Sequence, residues 1–197
     1  METRTFDHKG IKLTYYYSEG REGTAVLMHG YSFNSLVWEE VGLVKALNEL
    51  GLSFIGIDVP GYPRSANKLV LNETEIVSVL EAMIGTLNGD VFLLGSSASC
   101  HIALRFAEAG SSRLSGLMLV APVSVKNIAL SKIETKVIAI WGSEDDISPA
   151  YKNKDAIKSI RGSDVVIIKG AGHACYMSRP KEFIKIVSEF IIREKRR

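Results

Sequence analysis

Gly95-Ser96-Ser97-Ala98-Ser99 follows four apolar residues, Val91-Phe92-Leu93-Leu94, and leads into the periodic segment 102–107. A buried strand that passes through a small-residue turn into a helix is the setting for an exposed nucleophile. The residue at the tip is held in a strained backbone conformation with its hydroxyl exposed. The next amide points from the helix N-terminus at the place where an oxyanion would form. The stretch reads as G-x-S-x-G with serine in the last place, which makes Ser97 the nucleophile and the Ala98 N–H one oxyanion donor. Ser96 falls in the x position and Ser99 in the first helical turn, and these two are the rival serines.

A serine hydroxyl attacks a carbonyl only with a base to take its proton and a carboxylate to orient that base. Where a strand–turn–helix carries the serine, the chain order is serine, acid, histidine. The loop Gly142-Ser143-Glu144-Asp145-Asp146-Ile147-Ser148-Pro149 places Asp145 three residues after a glycine and four before a proline, and Asp146 and Glu144 are the fallbacks. Lys169-Gly170-Ala171-Gly172-His173 sets a histidine on a glycine loop after the last strand, free to lean over the turn, so His173 is the candidate base. Of the other histidines, His8 falls in a hairpin turn, His29 braces the loop that follows its strand, and His101 lies inside the helix after Ser97. The second oxyanion donor is expected from the loop after His29, most simply the Tyr31 N–H, with Ser32 as the alternative. Three loops at three strand ends, in this order, are more specific than any one of them. The chemistry they suit is acyl transfer through a covalent acyl-enzyme, with no cofactor and no metal.

The elements that must hold these loops can be read from hydrophobic period. Residues 3–6 and 12–17 are expected as strands joined by a turn at 7–10. Further strands are expected at 24–29, 54–59, 91–94, 117–121, 137–141 and 165–168. Helices are expected at about 35–49 (ending at Gly51), from Asn72 with Glu75 in a capping box, after the serine turn, near 149–160, and at 180–194 with Phe183, Ile186, Val187 and Phe190 inward. Alternating strands and helices imply a mainly parallel sheet of about eight strands, with an N-terminal antiparallel hairpin and helices on both faces. Ligands then belong beyond the carboxyl ends of the strands.

Composition narrows the function classes. The chain has 197 residues, 46% hydrophobic and 23% charged, with net charge +2, which fits one globular domain over 1–197. Its basic residues are scattered apart from the tail 193–197, a solvated helix end, so no nucleic-acid partner is expected. No apolar run approaches the length of a membrane span and no signal-like segment opens the chain, so a cytoplasmic location is expected. Cys100 and Cys175 form neither a disulfide framework nor a metal pattern.

With these residues in place, the chain resembles the α/β-hydrolase superfamily over essentially its whole length. The matching motifs are His29-Gly30, Asp58-x-Pro60-Gly61-x-x-x-Ser65, the serine turn, the loop from Gly142 to Pro149, and Gly172-His173. More narrowly it is similar to the small, lidless group of alpha/beta hydrolase domain-containing protein 14. That likeness rests on His29-Gly30-x-x-Phe33-x-Ser35-x-x-Trp38, Val120-Ala121-Pro122 and Lys169-Gly170-Ala171-Gly172-His173-x-Cys175-Tyr176. Ser99 in place of the last glycine of G-x-S-x-G and Pro63 in place of a common glycine are departures. The resemblance implies an α/β-hydrolase fold with no cap domain, because residues 123–135 leave no room for a lid. It implies an open site lined by Tyr31, Phe33, Trp38, Val123 and Tyr176, and hydrolysis of small or accessible acyl esters. An acyltransferase or deacylase using the same acyl-enzyme, and a non-catalytic interaction module with a retained pocket, are the alternatives.

Overall fold

Eight strands form one sheet in the computed structural model, which describes residues 1–110 and 113–195. They are β1 (Glu2–His8), β2 (Ile11–Ser18), β3 (Gly23–Met28), β4 (Leu52–Ile57), β5 (Asp90–Ser96), β6 (Gly116–Val120), β7 (Val137–Gly142) and β8 (Asp164–Ile168). Helices α1 (Val37–Glu40) and α2 (Leu43–Glu49) precede β4, α3 (Glu73–Gly85) precedes β5, and α4 (Ser99–Glu108) follows it. α5 (Lys154–Lys158) precedes β8, and α6 (Cys175–Ser178) and α7 (Pro180–Lys195) close the described chain. The spatial order is β1-β2-β4-β3-β5-β6-β7-β8. β1–β2 and β2–β4 are antiparallel and every other pair is parallel.

Strand alternation divides the apolar side chains between two cores. On β5, Val91 and Leu93 face α3 and α4, while Phe92 and Leu94 face α1, α2, α6 and α7. β3 repeats the pattern with Val26 and Met28 against Ala25 and Leu27, and β7 with Ala139 and Trp141 against Ile138 and Ile140. Strands that are apolar on both faces must lie inside a sheet covered on both sides, which puts β5 and its turn at the centre. The 5-residue edge strand β8 is half-buried instead, with Ile167 exposed.

Several expected boundaries shift for local reasons. The hairpin turn is only Lys9-Gly10, both at positive φ (53° and 82°), so His8 ends β1 and pairs with Ile11. His8 Nε2 lies 3.2 Å from Ser78 Oγ on α3. The helix expected at 35–49 is broken, because Gly42 adopts φ 84° and starts a second helix, a break that apolar spacing does not register. The helix expected near 149–160 shrinks to a single 3₁₀ turn, Ala150–Lys152, and α5. On α7, Ile191 is buried and Ile186 only half-buried. The Asn72–Glu75 capping box forms as expected, with bonds of 3.0 and 2.8 Å. Pro63 occupies the second position of a turn closed by Ser65 N–H on the Tyr62 carbonyl (3.1 Å), where a missing N–H costs nothing.

Only residues 121–136 join β6 to β7, with one 3₁₀ turn and no inserted cap. Among the described residues no helix is long and apolar enough to cross a membrane. The last two residues of the basic tail, Arg196 and Arg197, lie outside the described residues.

Candidate active site

The turn between β5 and α4 is as sharp as the small residues suggest. Ser97 sits at φ 56°, a left-handed conformation that costs a non-glycine residue on the order of 1–2 kcal/mol. Its N–H donates to the Val120 carbonyl (2.7 Å), which fixes the tip against β6. A Cβ on Gly95 would meet the Ser99 carbonyl oxygen at 2.7 Å and the Cys100 Cα at 2.8 Å, so only glycine lets α4 press on β5 here. Ser99 is structural. Its buried Oγ accepts the Ser96 N–H (2.8 Å) and lies 3.0 Å from both the Met28 and Ser96 carbonyl oxygens.

His173, on the loop after β8, reaches back to this tip. Its Nε2 is 2.8 Å from Ser97 Oγ, and its Nδ1 is 2.9 Å and 3.0 Å from the two carboxylate oxygens of Asp145. With Nδ1–H donating to the carboxylate, Nε2 presents its lone pair to the Ser97 hydroxyl. The Asp145 side chain is fully buried, and one of its oxygens also accepts the N–H groups of Ile147 (3.0 Å) and Ser148 (2.8 Å). Glu144 and Asp146 are exposed on the same loop, so Asp145 alone meets the histidine.

The loop after β3 runs along the other side of Ser97; a Cβ on Gly30 would lie 3.5 Å from the Ser97 Cβ. Among the described residues, no acceptor engages the N–H of Tyr31, Ser32 or Ala98. His29 braces this loop. It bonds the Gly30 carbonyl through Nδ1 (2.8 Å), and its Nε2 accepts the Val59 N–H (3.0 Å). Nε2 is therefore an acceptor, and its 3.8 Å approach to Asp58 is no ion pair. Asp58 is occupied elsewhere, taking the N–H groups of Ser35 (2.8 Å) and Ala66 (2.7 Å).

Burial holds the pKa of His29 below its ordinary value of 6.5. The unfolded chain therefore binds more protons than the folded one just below that pH. The stability this neutral imidazole contributes is full above pH 6.5 and declines as pH falls through the window beneath it. Urea midpoints between pH 8 and pH 5 should drop more steeply for the natural protein than for His29→Gln. Parallel curves would contradict this assignment.

A cleft of about 200 Å³ opens beside Ser97. Tyr31, Phe33 and Tyr176 line it as expected, and so do Ile147 and Ser96. Two residues expected in the cleft are not there. Trp38 is fully buried, its ring 4.9 Å beneath that of Tyr176, where α1 needs a large apolar anchor. Val123 is 40% exposed but lies outside the cleft. Ile147 had a visible signal, an apolar residue inside an acidic loop two positions after Asp145. Burial pushes the Cys175 thiol and the Tyr176 phenol each up to about 12, and raises Cys100 as well, so neither sulfur is a thiolate competing with Ser97.

A family model described as Alpha/beta hydrolase family matches residues 25–135, more than half of the chain. The chain belongs to the alpha/beta hydrolase family. Within that family it is similar to the ABHD14 proteins. It is 33% identical over 171 residues to "Protein ABHD14A" of Danio rerio, a match covering 84% of this chain and 63% of that protein. It is 28% identical over 175 residues to "Putative protein-lysine deacylase ABHD14B" of Homo sapiens, covering 85% of this chain and 82% of that one. The chain thus spans just under two thirds of the length of the zebrafish ABHD14A. A "predicted CIB-like hydrolase" from Thermoplasma acidophilum shares the fold with a TM-score of 0.85 at 24% identity, over 96% of this chain and 97% of that one. Est1E from Butyrivibrio proteoclasticus shares it with a TM-score of 0.80 at 15% identity, over 99% of each chain. As an alpha/beta hydrolase, the protein carries these loops at the carboxyl ends of its parallel strands, where such folds bind ligands.

Proposed function

We propose that this hydrolase is a serine esterase that cleaves small or accessible acyl esters through Ser97, His173 and Asp145. One observation carries the reading: a hydroxyl at positive φ, an imidazole 2.8 Å away and a buried carboxylate 2.9 Å beyond it form one continuous hydrogen-bonded line. Ser97 Oγ bonds to the acyl carbon as its proton passes to His173 Nε2. The Tyr31 and Ala98 N–H groups hold the oxyanion. The bond to the leaving alcohol then breaks, and His173 returns the proton to the departing oxygen. Water attacks the acyl-enzyme, giving its proton to His173. The Ser97–acyl bond breaks and that proton goes back to Ser97, so ester and water become acid and alcohol. Asp145 stays ionised throughout and holds the imidazole in place.

The name of human ABHD14B supports a second reading, in which the acyl group comes from a lysine side chain. A shallow cleft with Tyr31 (56% exposed) and Ile147 (65% exposed) at its rim would admit an acyl group carried on a macromolecule. The same acyl-enzyme serves either donor. A cytoplasmic setting belongs to the proposal and rests on two buried cysteines that are not joined.

The size of the cleft makes the ester reading testable. Each methylene left in water forfeits about 0.8 kcal/mol of burial, so gains in specificity stop once the cleft is filled. Across p-nitrophenyl esters from acetate to palmitate, kcat/KM is expected to peak at two to four acyl carbons. A peak at eight carbons or more would contradict a small open acyl site, and absence of turnover on every ester would contradict the esterase.

A further inference from the structure

Ser96 and Tyr176 give the cleft a polar inner end. Alternation along β5 sends Ser96 to the same side as Phe92 and Leu94, the face covered by α6. Tyr176 reaches that place from α6, which brings its phenol to the same end of the cleft as the Ser96 side chain. Both residues line the cleft beside Ser97 and both are only 2% exposed. Ser96 Oγ faces the oxyanion loop, 3.7 Å from where a Cβ on Gly30 would be. The phenol is held rigidly, with its ring centroid 4.9 Å from Trp38, 5.9 Å from Phe183 and 6.0 Å from Phe33.

The two hydroxyls each carry an O–H donor and acceptor lone pairs with which a ligand can pair. Ser99, the neighbouring serine, has its hydroxyl engaged by backbone groups instead. Phe33 and Ile147 supply apolar walls. An all-carbon acyl chain pushed against the inner end strips water from the two hydroxyls and returns no hydrogen bond. An acyl group with its own hydroxyl at that point restores one.

We propose that Ser96 and Tyr176 are specificity-determining residues that select acyl groups bearing a hydroxyl near the carbonyl over all-carbon groups of the same size. The inference rests on the esterase reading, with Ser97 as the residue acylated. Its test is a matched pair, p-nitrophenyl 3-hydroxybutyrate and p-nitrophenyl 3-methylbutyrate, which differ by OH for CH₃. The ratio of their kcat/KM values is divided by the ratio of their spontaneous hydrolysis rates. The natural protein is expected to favour the hydroxy ester by about tenfold, the worth of one hydrogen bond. In Tyr176→Phe, which keeps the ring, and in Ser96→Ala the preference should fall to within about twofold. Equal normalised rates in the natural protein, or a preference that survives both substitutions, would overturn the proposal. A fluorophosphonate probe separates the two levels. An unlabelled Ser97 with neither ester cleaved refutes the esterase and this inference with it. A labelled Ser97 with equal rates, or with neither ester cleaved, refutes the inference alone.

Discussion

Ser97→Ala is expected to lower ester turnover by about 10⁴- to 10⁶-fold while leaving the fold intact, the scale on which serine nucleophiles act in hydrogen-bonded triads. The cause is local. Ser97 alone of the three neighbouring serines combines a positive φ with an Oγ 2.8 Å from the His173 Nε2. Ser99 is bonded into the β5–α4 turn and Ser96 faces Tyr176. Alanine at φ 56° carries the same backbone cost as serine, so the substitution removes the hydroxyl's bond without adding strain. Steady-state hydrolysis of p-nitrophenyl acetate measures the effect, with thermal melting to verify folding. Near-normal turnover in Ser97→Ala, with loss in Ser99→Ala, would place the nucleophile elsewhere.

Asp145→Asn is expected to cost about 10³- to 10⁴-fold in kcat with little change in KM. The amide cannot hold the Nδ1–H tautomer that aims the Nε2 lone pair at Ser97. Asp146→Asn should stay within about threefold, because that side chain is exposed and Asp145 alone is bonded to His173. Steady-state kinetics on the two variants decides between them. The reverse ranking would move the acid by one residue and leave the buried Asp145 carboxylate a merely structural acceptor for Ile147 and Ser148.

What could be read from the sequence divides along a physical line. The parallel sheet, its two covered faces and the three loops at strand ends follow from apolar runs and from glycine, proline and serine punctuation, all of which act locally. Ser97, Asp145 and His173 come together because the parallel strands β5, β7 and β8 all end on the same side, and their order along the chain already implied it. The misplaced details depend on tertiary packing. Trp38 lies at helical spacing in a motif rich in aromatics, but nothing local indicates that Tyr176 packs against it and lines the cleft in its place. The break at Gly42 is invisible to hydrophobic period, because α1 and α2 face the same core on either side of it. Ser96 and Tyr176 meet in one cleft from 80 positions apart, and neither carries a sign of the other.

The proposed chemistry requires Ser97 to be an activated nucleophile, and covalent labelling measures that. The natural protein is treated with a fluorophosphonate, its intact mass is measured, and the modified peptide is sequenced. One adduct per chain, carried by Ser97 and absent from His173→Ala, is the result expected. An unmodified mass, or an adduct on any other residue, would contradict it.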